Sequence, residues 1–598
     1  MNMRWICGLM CVGLSGAVVA AQDKAPPSAM RSALSLIPDD AMLFICAANV
    51  KTLDADLKRA IADLDLTDSL SLPSGSLVAF LKQNAPFLEH ADENASLSVF
   101  FMPASSLPEM SQKQVLMVTA RDPQQLLDAL QASPADDGTQ SVTLFGQPLH
   151  VALRDKHLYF AATGELAKAS ASAKSGIDAK LTPQELAAIS DMDVAVFVTD
   201  RFIKLAKVMV DAFAPMMMAQ AQGGDAFSAK SAEMSMKNLN DLLGGMQSIS
   251  IGIGLDRGGL TSRFGMRINP GSEIAKQYAV KNTDKPLLTG LPAGDYVLAW
   301  GGVVSREQAE AGYRSLEPLM ALSDDVEGLD RDKVSALKQN LRDLLLMING
   351  SHGVVEVLDP QKGCLVGVGL LLETSDGKRF VDLFGKLIDG GKSIVSGADE
   401  KLVSSDIKRR VNAISFQRDT AKAKDASVSV LSLDLENQDG IDEDDLEEIE
   451  AVLGKERFTI RFAPLASGQV AITFGGGQAY LERLIDTARA GGSPLAADKG
   501  IQLASSGLPK QRAAAYYLAV DHGLRLVQNI LDALDEEQLP LPADAIDAPL
   551  ALCVSGGDGW VRGDMYVPTP LMKAIAGMVR TMMGATAPQA TPADSGGS

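Results

Sequence analysis

Two similar stretches of sequence determine how we expect this chain to fold. The first is Ala195–Leu205, AVFVTDRFIKL, and the second is Tyr516–Leu526, YYLAVDHGLRL. In each stretch an apolar run typical of a β-strand leads to an aspartate, Asp200 or Asp521, and then to an amphipathic run with helical spacing. We interpret both aspartates as helix N-caps. One strand–Asp–helix unit that occurs twice predicts two related halves.

Further matches lie outward from these stretches and keep the same order. The separation is 254 residues between Asp122 and Asp376, 312 between Gly164 and Gly476, 321 between Asp200 and Asp521, and 300 between Gly259 and Gly559. A conserved order with a drifting separation predicts a tandem duplication. The first repeat is predicted to span residues 36–285 and the second residues 286–584. The jump from 254 to 312 predicts an insertion near residues 388–458.

Within each half, short strand pairs alternate with helices. This pattern predicts an α+β fold, with two tandemly duplicated halves of mostly antiparallel sheets and helices packed on one side. We expect the halves to pack about a pseudo-twofold axis, and the seam between them is a candidate ligand site.

The N-terminus has the pattern of a secretory signal peptide. Arg4 precedes the apolar run Trp5–Val19, and small residues follow at Ala20 and Ala21. We therefore predict a signal peptide over residues 1–21, a mobile leader over 22–35, and a periplasmic or secreted protein. Retention of the segment as an anchor stays open. No integral membrane span is predicted after cleavage, and residues 585–598 are predicted to be disordered.

Composition narrows the possible partners. The chain has 598 residues, 46% of them hydrophobic and 22% charged, which indicates a globular protein. The net charge of −20 disfavours binding to nucleic acid, because an acidic surface repels phosphates. Three cysteines follow the predicted cleavage site, Cys46, Cys364 and Cys553, and each lies in an apolar run. We predict buried free thiols, while a disulfide between two of them stays possible.

No catalytic, cofactor-binding or metal site is predicted. No two of the five histidines lie three or four residues apart, as a helical zinc pair would require. Ser375 begins a Ser-x-x-Lys sequence, but the partner motifs of the penicillin-recognising enzymes are absent. A calcium loop centred on Gly440 would begin at Leu435 and end at Leu446, neither of which can bind the ion. We interpret that acidic stretch as a helix start.

One segment is unusually rich in methionine. The methionines that we predict to contact a ligand or partner are Met216, Met217, Met218, Met234 and Met236. Methionine is flexible and polarizable, so it suits adaptable apolar contacts. A methionine-rich extension of the hydrophobic core is the alternative interpretation.

A sequence motif recurs at the start of each half. Ile37-Pro38-Asp39-Asp40-Ala41 and Leu291-Pro292-Ala293-Gly294-Asp295 each precede an apolar strand and an amphipathic helix. With the leader, this arrangement resembles uncharacterised exported bacterial proteins of a domain-of-unknown-function type. The resemblance implies export, but no activity and no catalytic residue.

Three functions are compatible with these patterns. The first is an exported, non-enzymatic binding or scaffolding protein of the bacterial envelope, whose partner is an unknown envelope protein or an apolar ligand. The second is a periplasmic carrier of an apolar ligand, which predicts a closed, dry cavity. The third is a carboxylate-dependent hydrolase, which predicts two facing acids with raised pKa in one deep pocket.

Overall fold

The computed structural model describes residues 28–64, 66, 75–144, 146–221, 226–256, 258–321, 329–359, 364–399, 403–435, 441, 443–456, 458–534, 536, 546 and 548–585. The predicted signal peptide, residues 22–27 of the leader and residues 586–598 of the tail lie outside these residues. No helix in the described part of the chain combines the length and the apolar character needed to cross a membrane.

The described residues form twenty β-strands. In the first half these are β1 Leu43–Ala47, β2 Leu97–Phe101, β3 Gln114–Thr119, β4 Ser133–Pro134, β5 Gln140–Leu144, β6 Gln147–Arg154, β7 His157–Ala161, β8 Val194–Val198, β9 Met246–Leu255 and β10 Gly259–Ile268. In the second half they are β11 Tyr296–Val303, β12 Ile348–Val357, β13 Val366–Thr374, β14 Ile414–Ala423, β15 Ala426–Leu433, β16 Thr459–Pro464, β17 Gln469–Phe474, β18 Ala514–Leu518, β19 Leu550–Gly557 and β20 Trp560–Pro568.

Nineteen α-helices connect the strands within the described ranges. The first ten are α1 Ser28–Leu34, α2 Val50–Asp63, α3 Leu77–Asn84, α4 Leu107–Gln112, α5 Pro123–Ala129, α6 Gly164–Ala171, α7 Pro183–Ile189, α8 Asp200–Ala221, α9 Ala226–Gly245 and α10 Glu273–Gln277. The other nine are α11 Arg306–Ala321, α12 Arg331–Leu346, α13 Gly377–Gly397, α14 Ser405–Ala413, α15 Glu443–Leu453, α16 Gly477–Ala490, α17 Lys499–Ser506, α18 Val520–Ala533 and α19 Thr569–Ala585.

All twenty strands belong to one antiparallel sheet, which confirms the predicted α+β class. The spatial order is β4-β5-β6-β7-β3-β2-β1-β8-β9-β10 and then β20-β19-β18-β11-β12-β13-β17-β16-β15-β14. The second ten strands repeat the topology of the first ten in reverse order. The two halves therefore join edge to edge through β10 and β20, a mode of joining that the sequence did not indicate.

The register of the sheet repeats as well. One continuous row of facing residues crosses both halves: Ser98, Cys46, Ala195, Gly252, Arg263, Asp564, Cys553, Ala515, Gly301 and His352. The first five occupy the same strands in the first half as the last five, taken in reverse, occupy in the second. Arg263 and Asp564 are thus equivalent positions that face each other, so the pseudo-twofold axis passes between them. Tandem duplication would produce this repeat, and it stays our interpretation.

The row corrects the predicted alignment by one residue. Ala195 is equivalent to Ala515 and not to Tyr516, because alternate residues of a strand face opposite sides of the sheet. A register shift between Tyr296 and Leu298 moves β11 by one residue relative to β1. Asp200 and Asp521 are consequently not equivalent. Neither is an N-cap: α8 begins at Asp200 itself, and Ala519 occupies the N-cap position of α18.

Helices cover both faces of the sheet, whereas the sequence predicted one face. Phe44 packs into a cluster with residues of α1, α6 and α7. Its neighbour Leu43 points to the opposite face, where it packs with Met110 of α4 and Phe202 of α8. In the second half α16 and α17 cover one face, while α12 and α13 cover the other. Helices fit on both sides because many strands carry apolar residues at successive positions.

Two further boundaries differ from the prediction. Part of the predicted mobile leader forms α1, whose Met30, Ala33 and Leu34 are buried. Their helical spacing places all three against the core. The predicted insertion near 388–458 contains the end of α13, then α14, β14, β15 and α15. Because β14 and β15 take the places of β4 and β5 in the sheet order, the stretch is not an insertion as a whole, whereas α15 has no counterpart among the described residues between β5 and β6. Its acidic stretch does begin a helix, since Glu443, Asp444 and Asp445 form the first turn of α15, although Gly440 lies outside the described residues.

The three cysteines are buried and unpaired, as the free-thiol prediction requires. Burial raises the pKa of Cys46 to about 12, against the smaller effect of its hydrogen bond with Ser98. Burial likewise raises the pKa of Cys553 to about 11. These thiols are therefore protonated at neutral pH and are poor nucleophiles.

Candidate functional site: an apolar trough across the centre of the sheet

The most prominent surface feature is an apolar area on the central strands, which we call the apolar trough. Its floor lies on β10, β20, β19 and β18. One row of facing residues contains Ser262, Met565, Leu552 and Tyr516, and a second contains Phe264, Gly563, Val554 and Ala514. Facing residues of paired antiparallel strands point to the same side of the sheet. The only polar side chains in these two rows are the hydroxyls of Ser262 and Tyr516.

The large side chains of the floor are exposed to solvent, although they lie on central strands of the sheet. Phe264 is 43% exposed, and Tyr516 and Leu552 are each 41% exposed. A Cβ atom built on Gly563 would meet only the carbonyl oxygen of Cys553, at 3.9 Å, so the space above this glycine is open. Contiguous exposed apolar surface of this kind is typical of an interaction site.

Helices close the trough at both ends of the strands. At one end Leu260 and Val567 pack with residues of α2 and α19. At the other end Met266 and Val561 pack with Ile274 of α10 and Leu242 of α9. The floor between Leu260 and Met266 is about 20 Å long at 3.3–3.4 Å per residue. Across β10 to β18 it is about 14 Å wide at 4.8 Å per strand.

Two helices flank the trough at its sides. Helix α8 packs on β9, and its counterpart α18 packs on β11 and β12. Helix α8 carries the most exposed large apolar side chains of the described chain: Val208 at 63%, Met216 at 58% and Phe213 at 54%. Val527 of α18 is 42% exposed. Exposed apolar side chains therefore occur on both flanking helices as well as on the floor.

The predicted methionine site stays a prediction, and its residues differ in exposure. Met216 is exposed, and Met218 and Met234 are partly exposed. Met236 is buried, as the core interpretation requires. The side chain of Met217 lies outside the described residues. Helices α8 and α9 pack against each other, so these methionines belong to one helical hairpin.

The floor residues Phe264, Leu518 and Leu552 were missed by sequence reasoning. A signal was present, because AAYYL of β18 is apolar at successive positions and thus on both faces of its strand. Such a pattern is typical of a strand covered on both sides. It does not reveal that one covering layer is absent from the described chain.

A buried ionic network lies on the opposite face of the same central strands. Arg263 Nε donates to Asp564 Oδ1 at 2.9 Å, and Arg263 Nη1 donates to Asp191 Oδ1 at 2.7 Å and to the carbonyl oxygen of Ala188 at 3.0 Å. Arg562 donates to both oxygens of Asp564, at 2.6 and 2.7 Å. The side chains of Arg263 and Asp564 are 9% and 1% exposed. This network fastens the two halves together at the axis.

A cluster of aspartates lies near the end of β9. Burial, and then the neighbouring Asp56, Asp256 and Asp191, raise the pKa of Asp193 to about 6, against a hydrogen bond from the backbone N–H of Leu255. Burial also raises the pKa of Asp56, against its ion pair with Arg59.

These raised pKa values are the ones that the hydrolase hypothesis predicts. The hydrolase hypothesis also requires the two acids to line one deep pocket. Three cavities, with volumes of about 490, 40 and 370 Å³, are lined by residues other than Asp193 and Asp56. No group of three or more described His, Cys, Asp and Glu residues could hold a metal ion.

Comparisons with known proteins give little further information. No protein-family model matches the chain, and no curated protein matches it. Two solved structures, crystal forms III and IV of TP0453, each align with 11% identity over 50% of this chain and 98% of that chain, with a TM-score of 0.21. Crystal form I aligns with 10% identity and a TM-score of 0.18. Scores this low carry no argument about fold or function.

Proposed function

We propose that this chain is an exported, non-enzymatic binding protein whose apolar trough docks an amphipathic helix of a protein partner in the bacterial envelope. The observation that carries the proposal is the exposed apolar floor, which helices close at both ends. Export rests on the signal-peptide pattern of residues 1–21. Helix-in-groove binding of this kind uses a hydrophobic groove as the receptor.

The dimensions of the trough favour a helix. A helix with its side chains is about 10–12 Å in diameter. It fits a floor about 14 Å by 20 Å, whereas a carrier of a small apolar molecule is expected to enclose its ligand in a closed cavity. The trough is open, so the geometry favours a macromolecular partner over the carrier hypothesis.

Charge favours a cationic partner. The chain has a net charge of −20, which attracts basic segments and repels anionic lipid. The floor itself supplies apolar contact area, while the net negative charge of the whole chain would favour the approach of a basic helix at longer range.

Replacing Leu552 with aspartate should weaken binding of a model helix by at least about tenfold, because the helix would have to desolvate a new charge. The probe is a synthetic amphipathic helix of leucine and lysine, labelled for fluorescence anisotropy and titrated with the mature protein. An otherwise identical peptide with glutamate in place of lysine should bind much more weakly.

Leu503→Asp is the matched control. Leu503 is also 41% exposed, but it lies on α17, which covers the other face of the sheet. This variant adds the same charge and should bind the leucine–lysine peptide like the unmodified protein. If both variants lose affinity for the peptide equally, or if Leu552→Asp loses none, the peptide does not bind in the trough. A dimer of the unmodified protein that Leu552→Asp dissociates would instead identify the occupant as a second copy.

A further inference from the structure

A separate cavity lies on the other face of the sheet in the second half. It lies between α17 and the segment before β11, is partly open to solvent and has a volume of about 370 Å³. Leu287, Leu288 and Ile501 line one side, and Ser505, Arg512 and Tyr517 supply polar groups. Ligand pockets commonly have volumes of about 300–1,000 Å³, with mainly apolar walls and a few placed polar groups. Tyr516 and Tyr517 are adjacent on β18, so this cavity and the trough face opposite ways.

Arg512 lies on the polar side of this cavity, and one of its guanidinium nitrogens has no hydrogen-bond acceptor in the described part of the chain. Nη1 of Arg512 is buried, and no described residue accepts a hydrogen bond from it. Asp564 is one acid near this region, since Asp564 and Arg512 both influence the pKa of Cys553. Asp564 already accepts hydrogen bonds from Arg263 and Arg562. A buried guanidinium nitrogen without an acceptor is costly, and a carboxylate bound to the neighbouring N–H groups of Arg512 would neutralise the charge that this nitrogen shares.

The first half shows that the fold does not need an arginine here. The backbone N–H of Asp193 donates to Ile253, and that of Ala513 donates to Val554 at the equivalent place, at 2.9 and 2.7 Å. The residues before them, Met192 and Arg512, are therefore equivalent. Met192 is buried and apolar. At this backbone position the first half carries the thioether of Met192, whereas the second half carries the charged guanidinium of Arg512.

A hydroxyl pair adds hydrogen-bonding groups to the cavity. The hydroxyl oxygens of Ser505 and Tyr517 lie 2.7 Å apart. Because each hydroxyl carries one hydrogen, one of the two donates within the pair and the other has a hydrogen free for a ligand. Guanidinium and hydroxyl donors together match the oxygens of a carboxylate, and the leucine and isoleucine side chains match an apolar body.

We propose that this cavity binds a small carboxylic acid with an apolar body, whose carboxylate is held by Arg512. The site is independent of the trough. Loss of carboxylate binding and loss of helix binding are therefore separate experimental results.

Isothermal titration calorimetry with octanoate and with inorganic phosphate tests the proposal. We expect octanoate to bind saturably with one site per chain and to bind more tightly than phosphate. Arg512→Met, which copies the first half, should weaken octanoate binding by at least about tenfold through loss of the charge-assisted hydrogen bonds. Arg379→Met removes the same charge from the exposed start of α13 and should leave the affinity unchanged.

Three results would overturn the proposal: no binding of octanoate, phosphate binding as tightly as octanoate, or Arg512→Met retaining the affinity within twofold. If Arg512→Met does not fold, a second measurement on the protein without substitutions still tests the proposal. Phenylglyoxal reacts with accessible guanidinium groups. In the protein without substitutions, octanoate should slow the reaction of phenylglyoxal with Arg512, as followed by peptide mass spectrometry. Modification of Arg379 in the same sample should proceed at the same rate with and without octanoate.

Discussion

Arg263→Met should lower the free energy of unfolding by about 3–5 kcal/mol, the usual cost of removing one partner of a buried ion pair. Methionine preserves much of the side-chain volume, so the loss reports mainly on the charge. The variant leaves Asp564, which is 1% exposed, without its bond from Nε, and leaves the carbonyl oxygen of Ala188 without a donor. Because the pair joins β10 to β20, the cost falls on the junction between the halves.

Urea unfolding followed by circular dichroism measures this change, with size-exclusion chromatography to detect association. Lys237→Met is the control, since Lys237 pairs with Asp241 on the exposed side of α9, where both side chains are more than half exposed. Exposed pairs contribute about 0–1 kcal/mol. A loss below about 1 kcal/mol for Arg263→Met would show that Arg562 alone neutralises Asp564 and that the bond across the axis contributes little.

Asp193→Asn should stabilise the protein at pH 7 by on the order of 3 kcal/mol, since each unit of pKa shift corresponds to 1.36 kcal/mol. The folded pKa of Asp193, about 6, lies above the usual value of 3.8 for an aspartate. Between these values the folded protein binds a proton that the unfolded chain has already lost. Ionisation of Asp193 therefore costs stability as the pH rises from about 4 to about 6, and asparagine removes that cost.

The measurement is the difference in unfolding free energy between Asp193→Asn and the unmodified protein at a series of pH values. This difference should be near zero at pH 4, grow through pH 6 and then stay constant. Asn can still accept the hydrogen bond from the N–H of Leu255 through its amide oxygen. Asp241→Asn on exposed α9 is the control and should give no such growth. A difference that did not change with pH would mean that Asp193 is ionised in the folded protein throughout this range.

Local patterns were enough to predict the class of the fold. Asp122, which precedes Pro123, caps α5 in the way that this pair of residues typically does, and its side chain accepts from the backbone N–H groups of Gln124 and Gln125. Apolar alternation and turn residues are likewise signals that act over a few residues, so they predict strands and helices one at a time. The union of the halves through β10 and β20 could not be derived in this way. Edge pairing depends on backbone groups, which every sequence carries.

The site was harder to predict than the fold. The methionine content of α8 and α9 predicted a contact site on these helices. In the structure Met216 is exposed, whereas Met236 is buried. The floor of the trough comes from strands of both halves, so its composition follows only once their order in the sheet is known. The sequence around Arg512 contains no pattern that predicts its place in the cavity. Whether a buried nitrogen has a hydrogen-bond acceptor depends on residues that are distant in the sequence.

The pair at the pseudo-twofold axis also limits which molecules can assemble. If two copies of the first half joined through β10 in the observed register, Arg263 would face Arg263, and two second halves would place Asp564 against Asp564. Like charges directly opposite each other in a sheet are destabilising. Each half therefore recognises the other and rejects itself, which protects the long exposed edge of a partly folded chain from pairing with the same edge of its neighbour.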